Sequence, residues 1–113
     1  MHELALARAL VVQLEEEAAR HDVARILRVK LAIGALAIVD ADALAFAFDV
    51  AAAGTLAEGA ALEMTRPAGA AHCLGCGADV AIRSRADLCP RCGGGRLVIT
   101  GGEDTTIREM EVA

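Results

Sequence analysis

Aromatic residues are almost missing from this sequence, which has no tryptophan, no tyrosine and only two phenylalanines, Phe46 and Phe48. The core must therefore be built from aliphatic side chains. The scarcity also leaves no aromatic platform on which nucleic-acid bases could stack. Basic residues are outnumbered as well, with 11 Lys and Arg against 16 Asp and Glu and a net charge of −5. Because nucleic-acid-binding proteins need a basic stripe, that class is not expected.

Long uncharged apolar runs are missing too. No run of about 18 apolar residues lacks charge, so the sequence predicts no transmembrane helix. The first residues include Glu3 and follow a helical pattern, unlike a secretory signal, so we expect a cytoplasmic protein. With 113 residues, the chain should form one domain, or one small domain that carries a smaller module.

Hydrophobic periodicity predicts the elements of an α+β fold. Apolar residues recur every three to four positions over residues 4–20, which is typical of an amphipathic helix. Strand-like patterns occur in ILRVKLAIG, AALEMTRP, RLVIT and TTIREMEV. The segment VDADALAFAFDVAAAG is ambiguous, because its large apolar residues have a period of two whereas its alanines favour a helix. We predict a helix, which Asp40 or Asp42 begins and Gly54 ends.

The strongest motif is Cys73-x-x-Cys76, followed after twelve residues by Cys89-x-x-Cys92. In the cytoplasm, paired CxxC motifs are expected to bind metal rather than to form disulfides. Two such turns can surround one zinc ion at Zn–S distances of about 2.3 Å, and four sulfurs leave no open position, so the zinc would be structural. Iron in a rubredoxin-like site and a redox-active dithiol remain alternatives.

Three histidines could add to this chemistry. His72, beside the first cysteine, is expected to be a partly exposed strand residue, with an alternative role as a ligand or proton sensor. His21 ends the first predicted helix and should interact with its dipole. His2 follows the first methionine, so that the amine, the amide and the imidazole could bind Ni(II) or Cu(II) in one plane, with Glu3 completing the set. These residues alone do not establish such a site.

Several segments together resemble the HypA/HybF family of hydrogenase nickel-incorporation proteins. They are MHELALARAL, then RILRVKLAIGALAIVDADALAFAFDVAAAGTLAEGAALE, the paired CxxC motifs, and GGEDTTIREMEV at the end. The similarity extends over essentially the whole chain and keeps the order of the segments. The resemblance implies a small three-stranded sheet with two helices over residues 1–69 and 102–113, forming a nickel-binding domain, and an inserted zinc-ribbon domain over residues 70–101.

The resemblance also implies the site residues. The nickel site would consist of Met1, His2 and Glu3, with Asp40 as a further contributor, and the zinc site would consist of the four cysteines. Nickel is then the cargo and zinc a structural ion. Nickel affinity should fall in acid, because a protonated imidazole cannot bind metal.

The implied function is that of a metallochaperone and not of an enzyme. It would deliver Ni(II) to the precursor of the large subunit of [NiFe]-hydrogenase and work with HypB, a GTPase that handles nickel, without nucleic-acid or membrane partners. The sequence leaves open whether urease is a further client. The alternative is a zinc-ribbon protein-interaction adaptor, in which the MHE start is incidental.

Overall fold

The computed structural model describes residues 2–113. Over these residues the chain forms two helices and six strands. In order they are α1 (Glu3–Arg20), β1 (Ile26–Ile33), α2 (Ala41–Ala52), β2 (Ala61–Thr65), β3 (Gly69–Cys73), β4 (Asp79–Ile82), β5 (Leu97–Gly101) and β6 (Thr105–Val112). The strands form two three-stranded sheets, ordered β2-β1-β6 and β4-β3-β5. The predicted α+β fold with two helices, a small sheet and a zinc ribbon is confirmed.

The chain divides into two compact units. The first, called here the helical unit, contains Met1–Leu31, Val39–Met64 and Ile107–Ala113. The second, called the cysteine unit, contains Ala32–Ile38 and Thr65–Thr106. Both helices therefore belong to the first unit and all four cysteines to the second. Neither helix of the described residues has the length and apolar character that a membrane span requires.

Helix α1 buries one apolar stripe and ends in a tight turn. Five small or aliphatic residues at positions i, i+3, i+4, i+7 and i+11 form its buried face: Ala7, Leu10, Val11, Leu14 and Ala18. At its C-terminus the amide of Val23 donates to the carbonyl of Ala18 at 3.0 Å. Asp22 has a φ of 54°, a left-handed conformation that Asp tolerates better than most residues. This turn leads the chain directly into β1.

Helix α2 confirms the helical interpretation of the ambiguous segment. Asp40 is the N-cap, and its Oδ1 accepts a hydrogen bond from the Ala43 amide at 3.1 Å. Gly54, just after the helix, has a φ of 78°, which glycine adopts without strain. Leu44 and Phe48, one turn apart, are fully buried in the core of the helical unit.

The sheet of the helical unit carries charges on its exposed positions. Arg28 on the central strand β1 forms ion pairs with Glu63 on β2 and, at 3.1 Å, with Glu111 on β6. Lys30 and Glu109 lie 3.5 Å apart, again across β1 and β6. Opposite charges facing each other across neighbouring strands favour this register of pairing.

The cysteine unit has its own sheet and its own small core. Its central strand β3 pairs with β4 and β5, both antiparallel. The core consists of Leu36, Ala71, Cys73, Val80, Ile82 and Cys89. Leu36 comes from the segment after β1, and its amide donates to the Gly102 carbonyl at 2.9 Å. A residue far from the cysteines in sequence is therefore part of the core that surrounds them.

Candidate metal centre

The four cysteine sulfurs lie together. All four Sγ atoms are within 4.8 Å of one another, with 3.6 Å between Cys73 and Cys92 and 3.8 Å between Cys76 and Cys89. The first cysteine of each pair is buried and the second is exposed. The cluster therefore lies at the border of the core of the cysteine unit.

The two CxxC turns have the same backbone hydrogen bonds. The amide of Gly77 donates to the carbonyl of Cys73, and the amide of Gly93 donates to the carbonyl of Cys89, both at 2.8 Å. These two glycines have φ values of 76° and 77°, so both use the left-handed conformation that a side chain would strain. Each CxxC turn therefore closes at a position whose backbone conformation favours glycine.

Backbone amides point at the sulfurs. The amides of Arg91 and Cys92 donate to Cys89 Sγ at 3.4 and 3.5 Å, and the amide of Gly94 donates to Cys92 Sγ at 3.4 Å. Such hydrogen bonds stabilise negative charge on sulfur and orient the ligand. These amides therefore favour the thiolate form of the sulfur to which they donate.

The pKa values of the thiols reflect this arrangement. The Cys92 and Arg91 amides lower the pKa of Cys89 to about 6, although its burial opposes the shift. In the other turn, the amides of Cys76 and Gly75 lower the pKa of Cys73.

Cys92 differs, and its pKa is raised to about 11. The Gly94 amide favours its thiolate, but hydrogen bonds to the sulfurs of Cys73 and Cys89, together with burial, outweigh that effect. The thiol pKa values of the cluster therefore differ, with Cys89 lowered and Cys92 raised. A bound divalent metal would deprotonate every thiol that coordinates it, and its positive charge would offset that of the thiolates.

These residues fit zinc. A tetrahedral ion with Zn–S distances of about 2.3 Å separates its sulfurs by about 3.8 Å. The observed separations of 3.6 and 3.8 Å agree with that geometry. With four thiolates in place, no coordination position stays open for a substrate, so the ion that this site holds would serve structure.

His72 and His21, two of the three histidines of the chain, each lie beside an acidic side chain. His72 lies in β3, partly exposed as predicted, and its Nδ1 is 2.9 Å from Asp79 Oδ1 on β4. The sequence did not indicate this pairing, because it depends on the register of two strands. His21 follows α1 as its C-cap, and its Nε2 is 3.5 Å from Glu17 Oε1.

The N-terminal residues are placed around the start of the two helices. Met1 lies outside the described residues. His2 is exposed and precedes α1, with its carbonyl accepting from the Leu6 amide at 3.0 Å. Glu3 Oε2 accepts from the backbone amide of Asp40 at 3.4 Å. The structure thus brings the Glu3 carboxylate close to the backbone of Asp40, and both residues belong to the predicted nickel site.

Comparison with known proteins gives a consistent result. A family model described as "Hydrogenase/urease nickel incorporation, metallochaperone, hypA" matches residues 1–112. The chain is 46% identical over 112 residues to the hydrogenase maturation factor HypA of Azotobacter vinelandii, with 99% of both proteins covered. It is 48% identical to the factor of the same name from Azorhizobium caulinodans, with the same coverage.

Solved structures share the fold. The solution structure of the Ni metallochaperone HypA from Helicobacter pylori matches with a TM-score of 0.75 and 23% identity, covering 99% of this chain and 97% of that one. A second solution structure, of a HypA protein, has a TM-score of 0.71 and 22% identity, covering 100% of this chain and 97% of that one. From its matched length and its relatives, this chain belongs to the HypA family of metallochaperones for nickel incorporation in hydrogenase maturation.

Proposed function

We propose that this chain binds one Ni(II) ion at its N-terminus and delivers it to the precursor of the large subunit of [NiFe]-hydrogenase. Two observations support the proposal together. The nickel-incorporation family model matches residues 1–112, which include the proposed ligands, and His2 is exposed. An exposed terminal site can exchange its ligands with another protein, whereas a closed four-sulfur site cannot.

The proposed nickel ligands are Met1, His2 and Glu3. The amine of the first residue, the His2 amide and the imidazole form small chelate rings with nitrogen atoms near one plane, which suits square-planar Ni(II). The hydrogen bond from the Asp40 amide to the Glu3 carboxylate supports a role for Asp40 close to this site. The carboxylate of Asp40 also caps α2, so its contribution to nickel must be separated from its contribution to the helix.

In this proposal, residues 1–69 and 102–113 form the nickel domain and residues 70–101 a domain held by structural zinc. The protein transfers metal without catalysing a reaction on a substrate. HypB, a nickel-handling GTPase, is the proposed partner besides the hydrogenase precursor. The proposed location is the cytoplasm, where the four thiols would stay reduced.

A nickel titration by calorimetry tests the proposal. The sample is tag-free protein whose Met1 is verified by mass, with total zinc measured in parallel. We expect one nickel per chain, and His2→Ala should weaken binding by more than about tenfold while zinc content stays unchanged. His21→Ala, which removes an exposed histidine at the other end of α1, is the matched control and should bind like the unaltered protein.

Asp40→Asn separates the two roles of Asp40. Asparagine caps a helix about as well as aspartate, so α2 should stay intact while the charge is lost. Weaker nickel binding in this variant would support Asp40 as a contributor. If His2→Ala binds nickel as tightly as the unaltered chain, the N-terminal site is refuted and the adaptor role becomes the better explanation.

A further inference from the structure

Helix α2 is apolar on two faces, although the helical unit covers only one of them. Leu44 and Phe48 are fully buried, whereas Phe46 and Val50 on another face are 73% and 51% exposed. A helix of a globular protein normally has polar residues on the face opposite its core. Phe46 is one of the two aromatic residues in the whole chain, so its exposure is a feature that the fold of this unit does not explain.

The exposed apolar residues follow the spacing of a helix-pairing seam. Ala43, Phe46 and Val50 are all exposed and lie at positions i, i+3 and i+7. This is the a/d spacing with which one helix packs along another. Two exposed acidic residues, Asp42 and Asp49, flank the seam and are themselves seven positions apart. These five residues are called the outer α2 face below.

The segment that carries this face has charged residues of one sign only. Residues 39–64 contain five acidic residues and no lysine or arginine. A second copy of this chain pairing through the same face would bring aspartates against aspartates, which is unfavourable. A partner helix with lysine or arginine beside its apolar seam would meet both the apolar residues and the carboxylates.

We propose that the outer α2 face docks an amphipathic, basic helix of another protein. The partner presents apolar residues at heptad spacing to Phe46 and Val50, and basic residues to Asp42 and Asp49. In this kind of amphipathic-helix recognition, apolar anchor residues give affinity and flanking charges give orientation and specificity.

The outer α2 face lies close in sequence to the proposed nickel site. Asp42 lies two residues after Asp40, whose amide bonds the carboxylate of Glu3. A helix docked on the outer α2 face therefore lies beside residues proposed to hold nickel. This last point rests on the proposed function, whereas the docking itself does not depend on nickel.

A binding assay with designed peptides tests the docking. The probe is a fluorescent three-heptad helix with leucine at its a and d positions and lysine at e and g, and its counterpart has glutamate in place of lysine. Fluorescence anisotropy is measured with the full zinc-loaded chain and no nickel. We expect the basic peptide to bind, more weakly as salt is added, and the acidic one to bind at least about tenfold more weakly.

Matched variants locate the contact. Phe46→Ala and Val50→Ala should each weaken binding of the basic peptide by about tenfold. Val12→Ala on α1 makes the same change at nearly the same exposure, 52% against 51%, and should leave binding within about twofold.

For the charges, the double variant Asp42→Asn with Asp49→Asn should weaken binding. The control Glu15→Gln with Glu16→Gln removes the same charge from exposed positions on α1 and should change binding far less.

Several results would overturn the proposal. They are equal binding of the two peptides, no binding of the basic one, or equal effects of Val12→Ala and Val50→Ala. Self-association of the chain that Phe46→Ala abolishes would also refute it, since the face would then bind a second copy. Because the assay contains no nickel, its failure leaves the nickel proposal standing, and a failed nickel titration leaves the docking result standing.

Discussion

Leu36→Ala should weaken zinc binding by the four cysteines, although Leu36 is not a ligand. Leu36 is 4% exposed and lies in the core of the cysteine unit together with Cys73 and Cys89. It packs directly on a backbone, since a Cβ atom placed on Gly69 would come 2.5 Å from Leu36 Cδ1. Truncation to alanine would leave a cavity in the core to which Cys73 and Cys89 also belong.

The size of the effect follows from this packing. Replacing a buried leucine by alanine costs about 2–5 kcal/mol, and we take about 3 kcal/mol for a core this small. If zinc binding and folding of the cysteine unit are one equilibrium, the lost stability appears as lost zinc affinity. About 3 kcal/mol then corresponds to a roughly 100-fold higher apparent dissociation constant for zinc.

Competition with a chromophoric zinc chelator at fixed pH measures that constant. Ile38→Ala is the matched control, because Ile38 lies two residues further along and is 78% exposed. It should change the constant by less than about twofold. A change below about threefold for Leu36→Ala, or equal changes in both variants, would refute the link between this core and the metal site.

Three further perturbations test other parts of the structure. Gly34→Ala should lower the free energy of unfolding by about 1–3 kcal/mol, because the new Cβ would lie 2.1 Å from the Gly102 carbonyl oxygen. Gly95→Ala is the control, since its new Cβ would meet no atom closer than 3.7 Å, and thermal unfolding compares the two variants. Zinc affinity should fall more steeply once the pH drops below about 6, the pKa of the Cys89 thiol, because zinc must then displace its proton; the slope of log Kd against pH shows this. The hydrogen bond and charge of Arg28 lower the pKa of Glu63. The ionised Glu63 therefore stabilises the fold fully above pH 4.5, its ordinary pKa, and this stabilisation is lost as the pH falls through the lower pKa of the folded state. Glu63→Gln should remove that part of the acid dependence, measured as urea midpoints on both sides of that window, and an unchanged dependence would contradict it.

The metal-binding turns could be predicted from the sequence because all their determinants are local. Two cysteines at CxxC spacing and a glycine after each pair define a turn wherever it occurs in a fold. The structure places Gly77 and Gly93 in the left-handed conformation that the motif requires. The same holds for the start of α2, where a single aspartate, Asp40, caps the helix.

The ambiguity of α2 also has a physical origin. Its large apolar residues alternate with a period of two because they serve two faces of one helix. Leu44 and Phe48 point into the core, and Phe46 and Val50 lie on the exposed face. Periodicity alone assumes a single buried face, so it cannot separate such a helix from a strand.

Long-range packing was outside the reach of the sequence. Leu36 follows a strand of the helical unit in sequence, and nothing near it indicates that it fills the core around the cysteines. The contact of Glu3 with Asp40 joins residues 37 positions apart, and only the family resemblance, not the local pattern, places both at one site. Both depend on how distant segments meet, which local propensity does not encode.

The order in which the parts of each unit occur along the chain has a consequence for biosynthesis. The helical unit includes Ile107–Ala113, which leave the ribosome after every cysteine, while the cysteine unit includes Ala32–Ile38, which leave it early. The four thiols and Leu36 are therefore available before β6 can join its sheet. Because all four cysteines and Leu36 precede β6 in the sequence, the cysteine unit can gather its metal ligands before β6 completes the sheet of the helical unit.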